Sequence, residues 1–124
     1  MDEAIIVEQV EEKRRQFNLS MPSDQHPYHL SMGQKRRLSV AAAMMRKPKL
    51  LLLDEPTFGQ DAQNTFAIVH DLEQLRLQGT TIMMVTHDEA IVQHFSTAVW
   101  EVAQGQVRCY ANVKEWGARH DRLA

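Results

Sequence analysis

The segment LSMGQKRRLSVAAAMMRKPKLLLLDEPTFGQD, residues 30–61, decides how this chain folds. It contains a serine with a glutamine three residues later, a stretch rich in alanine and methionine, and four leucines followed by an acidic pair. The serine and glutamine form a capping-box pattern, so we expect a helix from Ser31 to about Arg46 with Ser31 as its N-cap. The run from Lys49 to Leu53 is too short for a helix and is typical of a strand buried on both faces.

Helices and strands alternate on both sides of this segment. A loop is expected at 18–29, where prolines cluster. The other predicted elements are helices at 2–16, 62–77 and 88–95, a strand at 80–85, a hairpin of 97–102 and 106–110 turning near Gly105, and a helical turn at 112–116. This order predicts an α/β chain with a short parallel sheet, flanking helices and a C-terminal β-hairpin.

The sequence also predicts which side chains lie in the core and which lie at the surface. The residues expected to pack in the core include Phe66, Val69, Leu72, Leu75, Met44, Met45, Met83 and Met84. The basic run KRR at 35–37 is expected to form a solvated helix face.

The composition excludes several functional classes. The chain has 124 residues, enough for one small domain, with a net charge of −2 and a pI near 6.3. This balance gives no electrostatic basis for binding nucleic acid or an anionic membrane surface. A single cysteine, Cys109, excludes an internal disulfide bond and fits a reducing, cytoplasmic compartment. No uncharged run approaches the roughly 18 residues that span a bilayer, and the acidic start of the sequence is unlike a signal peptide.

The acidic pair after the leucine run is the first candidate site. Asp54 and Glu55 lie where the predicted strand ends, and ligands of open α/β sheets bind outside the carboxyl ends of the strands. One carboxylate at such a position can hold Mg²⁺, and the next can orient and polarise an attacking water. The alternative is a polar strand end followed by a turn at Pro56.

Three further positions are candidate site residues, and two of them, the helix start at Ser31 and His87, are candidates for contact with an anion. The capped helix start at Ser31, with Gly33 in its first turn, offers free backbone N–H groups and the positive end of a helix dipole. The alternative is an ordinary N-cap. His87 follows the second predicted strand and would reach a phosphate at the acidic pair if the two strands are neighbours; otherwise it is a surface loop histidine. Asp61 precedes a helix and is alternatively only its N-cap.

In this order and spacing, the motifs resemble those of the ATP-binding subunits of ABC transporters. LSMGQ resembles the signature motif LSGGQ, LLLLD resembles Walker B, and FGQD resembles the D-loop. The residues that the resemblance assigns to the site are Ser31, Met32, Gly33 and Gln34 of the signature motif, Asp54 as the metal-binding aspartate, Glu55 as the catalytic glutamate, Asp61 of the D-loop and His87 as the switch histidine. The segment DEPTFGQD, residues 54–61, is most similar to the corresponding segment of the energy-coupling-factor branch, whose importers serve vitamins and transition metals.

The resemblance implies a partial P-loop NTPase domain. Residues 1–30 correspond to the end of the helical subdomain, and residues 31–124 to the C-terminal part of the ATPase core. A P-loop has the pattern G-x-x-x-x-G-K-[ST], and none of the five glycines begins that pattern. We therefore expect the sequence to correspond to the C-terminal half of such a subunit, without the Walker A half, and to be inactive in ATP hydrolysis alone.

The resemblance also implies ligands and partners. These are ATP and Mg²⁺, another ABC ATPase subunit or a second copy of the chain, and a transmembrane transporter subunit that keeps the protein at the cytoplasmic side of the cell membrane. A non-catalytic module that docks on an intact ATPase or membrane subunit is the alternative, and a coiled-coil chromosomal ATPase is disfavoured because heptads and a basic patch are missing. Because the strand that would pair beside Leu50–Leu53 is absent, we expect an exposed apolar surface and self-association.

Overall fold

The computed structural model describes residues 2–123, and its elements follow the predicted order. They are α1 (Glu3–Gln16), a 3₁₀ turn (Pro27–His29), α2 (Met32–Met45), β1 (Leu50–Asp54), α3 (Ala62–Leu77), β2 (Thr81–Val85), α4 (Glu89–Phe95), β3 (Val99–Ala103), β4 (Gln106–Tyr110) and α5 (Val113–Leu123). The last helix is longer than the turn expected at 112–116. The chain divides into two compact units, and the boundary between them in the sequence lies between Val85 and Thr86.

The first unit places a parallel pair of strands against helices α2 and α3. Strands β1 and β2 pair in parallel, with Leu50 opposite Thr81 and Asp54 opposite Val85. Their α3 crossover is what a parallel pair requires. The core of this unit consists of Phe17, Leu19, Val40, Ala41, Met44, Leu51, Ile68, Leu72 and Leu75. The predicted α/β arrangement is therefore confirmed, and both strands end at the same edge of the sheet.

The two faces of this sheet have different surroundings. Leu51 is buried in the core, whereas Leu50 and Leu52 are 56% and 65% exposed. Met83 and Val85 of β2 are also exposed. The expectation that β1 is buried on both faces, and that Met83 packs in the core, is wrong because α2 and α3 contact one face and alternate side chains point to the other. The expected exposed apolar surface is present.

The buried face of α3 differs from the predicted one at Phe66. The buried apolar residues of α3 are Ile68, Val69, Leu72 and Leu75. The burial of Val69, Leu72 and Leu75 is as predicted from their helical spacing. Phe66 is 66% exposed and stacks on His70 at the surface, with the ring centroids 5.8 Å apart. Phe66 precedes Ile68 by two residues, which at about 100° per residue turns it away from the core. Its assignment to the core is therefore wrong.

Capping residues set the ends of the helices in the first unit. The side chain of Asp2 accepts a hydrogen bond from the amide of Ala4 and begins α1. At the end of α3, Gly79 has a φ of +105°, a conformation that glycine adopts without steric penalty. The chain can therefore leave the helix at once and enter β2.

The second unit contains α4, the β3–β4 hairpin and α5. Asp88 caps α4 through the amides of Ala90 and Ile91. The hairpin turns through Gln104 and Gly105, both with positive φ, which is the pattern of a two-residue type I′ turn. The predicted hairpin is therefore confirmed. None of the helices described between residues 2 and 123 has the length and apolarity needed to cross a membrane.

Candidate functional site

The N-terminus of α2 is closed by the capping box that the sequence predicts. The hydroxyl of Ser31 accepts a hydrogen bond from the amide of Gln34 at 3.2 Å, and the side chain of Gln34 accepts one from the amide of Ser31 at 2.9 Å. Met32, at the first helical position, has an exposed side chain. The helix therefore begins at a fixed residue, with its positive end at residues 31–34.

The carbonyl group of Gly33 is bound by a side chain from the loop that follows β1. Gln60 donates through Nε2 to the Gly33 carbonyl oxygen at 3.1 Å. Its Oε1 accepts a hydrogen bond from Nη1 of Arg37 at 2.7 Å. Arg37 also donates through Nε to the carbonyl of Phe17 at 2.8 Å. These contacts join the end of α1, the start of α2 and the loop before α3.

The basic run at 35–37 is not a solvated face, so that expectation is wrong. Arg37 is only 7% exposed. Arg36 donates to the carbonyl of Glu55 at 2.5 Å and lies over the ring of Phe58, and Lys35 lies over the ring of Tyr28. All three cationic side chains are therefore engaged by groups of the protein itself.

Sequence reasoning missed Arg36, Arg37 and Gln60 as parts of this site. A signal for Arg37 was present, because it precedes the buried residues Val40, Ala41 and Met44 of α2 by three, four and seven positions. An arginine on that stripe has to be buried together with acceptors for its donors. No comparable pattern identifies Gln60.

The acidic pair lies at the carboxyl end of β1, as predicted. Asp54 is the last residue of the strand and is exposed. Glu55 follows with a φ of +45°, a left-handed conformation that is uncommon for a residue with a side chain. Its amide donates to the carbonyl of Val85 at 2.9 Å, and its carbonyl accepts from Phe58 as well as from Arg36. The surrounding contacts therefore hold Glu55 in a backbone conformation that it would rarely adopt alone.

Asp61 is the N-cap of α3. Its Oδ1 accepts a hydrogen bond from the amide of Asn64 at 2.7 Å, and its Oδ2 accepts one from the Asn64 side chain at 3.2 Å. The capping role that the sequence offered as an alternative is thus present. A further role of Asp61 at a nucleotide stays a prediction.

His87 belongs to the second unit and has an exposed side chain. It lies between Thr86 and Asp88, whose amide donates to the Thr86 hydroxyl at 3.0 Å. The predicted crevice would be formed by His87 of the second unit and by Asp54 and Glu55 of the first unit. Its existence stays a prediction.

The chemistry of the first unit's site combines a helix N-terminus with two carboxylates. Ser31, Gly33, Gln34, Asp54, Glu55 and Asp61 all belong to this unit, and Gln60 and Arg36 connect their segments. Among the side chains that the structure describes, no group of three or more from histidine, cysteine, aspartate or glutamate is arranged to hold a metal ion. Mg²⁺ is commonly bound through one or two carboxylates with waters or phosphate oxygens as further ligands, and Asp54 and Glu55 are the carboxylates at this strand end.

Comparison with known proteins identifies related sequences. The family profile described as "ABC transporter" matches residues 2–58. A putative HMP/thiamine import ATP-binding protein, YkoD of Bacillus subtilis, is 44% identical over 85 residues, which are 68% of this chain and 16% of that protein. The energy-coupling factor transporter ATP-binding protein EcfA of Methanothermobacter thermautotrophicus is 32% identical over 102 residues, which are 82% of this chain and 33% of that protein.

The fold also has solved counterparts. The structure described as a dimeric post-hydrolysis state of the ATP-binding cassette MJ0796, bound to ADP and Pi, matches with a TM-score of 0.73 at 24% identity. The match covers 90% of this chain and 49% of that one. At this identity the likeness concerns the fold alone. In each of these three comparisons the chain spans less than half the length of its relative.

Proposed function

We propose that this chain, a relative of ABC transporter ATP-binding subunits, supplies one side of an ATP site whose phosphate-binding loop belongs to another polypeptide. The observation that carries the proposal is the N-terminus of α2. Its capping box fixes the first turn, and Gly33 there contributes no side chain that would block the backbone. Backbone N–H groups and the helix dipole at such an end favour a phosphate group.

The charges near the strand end support a shared site rather than a complete one. Asp54 and Glu55 would repel the phosphates of ATP, and the nearby basic residues 35–37 are engaged by protein groups. We propose that a second polypeptide, together with Mg²⁺, supplies the positive charge that offsets the phosphates of ATP. We therefore propose that the isolated chain does not hydrolyse ATP.

The acidic residues fit roles beside a nucleotide that carries Mg²⁺. Mg²⁺ is commonly held by one or two carboxylates together with phosphate oxygens, and Asp54 offers an exposed carboxylate at the end of β1. When bound, the ion would offset the negative charge of the phosphates. Glu55, with its backbone fixed by Arg36, Phe58 and Val85, is the residue that we propose to orient the attacking water.

The wider role that we propose is ATP-driven import of a vitamin or a metal ion. The sequence DEPTFGQD supports the energy-coupling-factor branch, and YkoD and EcfA support it by their names, which refer to HMP/thiamine import and to an energy-coupling factor transporter. The chain would act at the cytoplasmic face of the cell membrane through a transmembrane subunit, and would pair with another ATP-binding subunit.

A second candidate function is a non-catalytic docking module. The observation that favours it is the exposed apolar face formed by Leu50, Leu52, Met83 and Val85, which suits contact with another protein. Such a module would bind its partner whether or not nucleotide is present, whereas the shared ATP site requires nucleotide.

The substitution Gly33→Ala separates the two candidates. A Cβ atom at Gly33 would lie 3.5 Å from Arg37 Nη1 and 3.6 Å from Gln60 Nε2, which are ordinary contact distances. Since alanine also favours a helix, we expect the variant to fold with stability within about 1 kcal/mol of the parent. The added methyl group would nevertheless crowd a phosphate approaching the backbone.

The measurement follows the amide signals of residues 32–34 in the ¹⁵N-labelled chain mixed with an intact energy-coupling-factor ATP-binding protein. We expect these signals to shift only when that protein and MgATP are both present, and not to shift in Gly33→Ala. Gly117→Ala is the matched control, since a Cβ atom there meets nothing within 4 Å in α5. Shifts with MgATP alone, or equal shifts in Gly33→Ala, would contradict the proposal. Nucleotide-independent binding would favour the docking module.

A further inference from the structure

The side chain of Gln60, in the loop before α3, contacts two residues of α2 that lie about one turn apart. Its side-chain oxygen accepts from Arg37 at 2.7 Å, and its side-chain nitrogen donates to the carbonyl of Gly33 at 3.1 Å. Arg37 is itself held at the other end by the carbonyl of Phe17. The side chain of Gln60 is therefore fixed at both of its polar atoms, in a partly buried place.

The chemistry of these contacts is specific for an amide. A guanidinium group has only donors and a carbonyl oxygen has only lone pairs, so the side chain between them must accept on one side and donate on the other. Glutamine does both. Glutamate keeps the acceptor for Arg37 but has no donor for Gly33, and methionine keeps a similar length with neither strong donor nor acceptor.

The other end of the same loop is also held by α2. Arg36 donates to the carbonyl of Glu55 at 2.5 Å and lies over the ring of Phe58. Two consecutive arginines of α2 thus hold the loop of residues 55–61 near its beginning and, through Gln60, near its end. Asp61, which caps α3, follows Gln60 directly.

We infer that Gln60 is a positioning residue, which holds the loop of residues 55–61 against the first turn of α2 so that Gly33 and Asp61 keep a constant spacing. The functional consequence rests on the proposed function, in which both segments face the same nucleotide. The positioning itself is a property of the chain alone and is measured without nucleotide or partner.

Amide hydrogen exchange, followed by NMR, tests the inference. Reporters are the amides of Gln34 and Lys35 in α2 and of Phe58 in the loop, each of which donates a hydrogen bond. We expect exchange at these amides to be about 5- to 30-fold faster in Gln60→Met, which corresponds to the loss of one or two hydrogen bonds. The protected amides of Ile68 and Leu72 in α3 should be unchanged.

Two further variants make the test specific. In Gln60→Glu the loop keeps its contact with Arg37, so we expect faster exchange at Gln34 and Lys35 but not at Phe58. Gln63→Met is the control, because it replaces a glutamine with methionine in the same way but at an exposed position of α3. Unchanged exchange in Gln60→Met, or a uniform change that includes Ile68 and Leu72, would overturn the positioning role. A failure of the Gly33→Ala experiment would leave this result untouched, so the two proposals are distinguishable.

Discussion

Replacing Arg37 with methionine should destabilise the first unit more than the loss of any other basic side chain of α2. Arg37 is 7% exposed and donates to the carbonyl of Phe17 and to Oε1 of Gln60 at 2.8 and 2.7 Å. Its third contact, to the carbonyl of Asn18 at 3.4 Å, is long enough to add little. Arg37→Met leaves two acceptors without their donor, and each such loss amounts to about 1–3 kcal/mol.

We therefore expect Arg37→Met to lower the free energy of unfolding by about 3 kcal/mol, after the apolar methionine offsets part of the loss. Arg36→Met loses one hydrogen bond and a cation–π contact, with an expected loss of about 1–2 kcal/mol. Arg46→Met, at the exposed end of α2, should lose only about 0.5 kcal/mol.

Urea unfolding followed by circular dichroism at 222 nm measures these differences. Both tryptophans, Trp100 and Trp116, lie in the second unit, so fluorescence reports on that unit and serves as an internal comparison. We expect the circular dichroism transition of Arg37→Met to move to lower urea. Equal losses for Arg37→Met and Arg46→Met would refute the view that Arg37 is a buried connection rather than a surface charge.

Three other predictions concern different parts of the first unit. The parent chain should self-associate at micromolar concentration; Leu52→Asp should weaken this, and Leu77→Asp should not, although both leucines are about equally exposed, at 65% and 64%. A monomeric parent in sedimentation would contradict this. Ile68→Ala should lose about 2–5 kcal/mol of stability and Phe66→Ala less than about 1 kcal/mol, and equal losses in urea titrations would be inconsistent with the burial of α3. The isolated chain should show no ATP turnover; turnover that Glu55→Gln abolishes would show that the site is complete.

The sequence predicted the parts of the fold that local rules determine. Ser31 and Gln34 make both hydrogen bonds of the capping box, and Asp61 caps α3. The turn at Gly105 joins the expected hairpin. These features depend on residues close together in the chain, so their spacing alone is informative.

The features that the sequence did not predict depend on contacts between distant segments. Leu52 belongs to a run that is typical of fully buried strands, and only the placement of α2 and α3 on one side of the sheet shows that it is exposed. Arg37 and Gln60 are 23 positions apart, and their hydrogen bond follows from the packing of the loop against α2. The unusual backbone of Glu55 likewise depends on its contacts with Arg36 and Val85.

The most direct test of the central claim, that this chain holds only one side of an ATP site, is calorimetric titration of the isolated protein with MgATP. Asp54 and Glu55 repel phosphate, and Arg36 and Arg37 are engaged by protein acceptors. We therefore expect no saturable binding up to about 1 mM nucleotide, a limit that corresponds to a binding free energy of about −4 kcal/mol. Saturable binding with a micromolar Kd that is lost in Asp54→Asn would contradict the claim and show that the chain forms a complete nucleotide site.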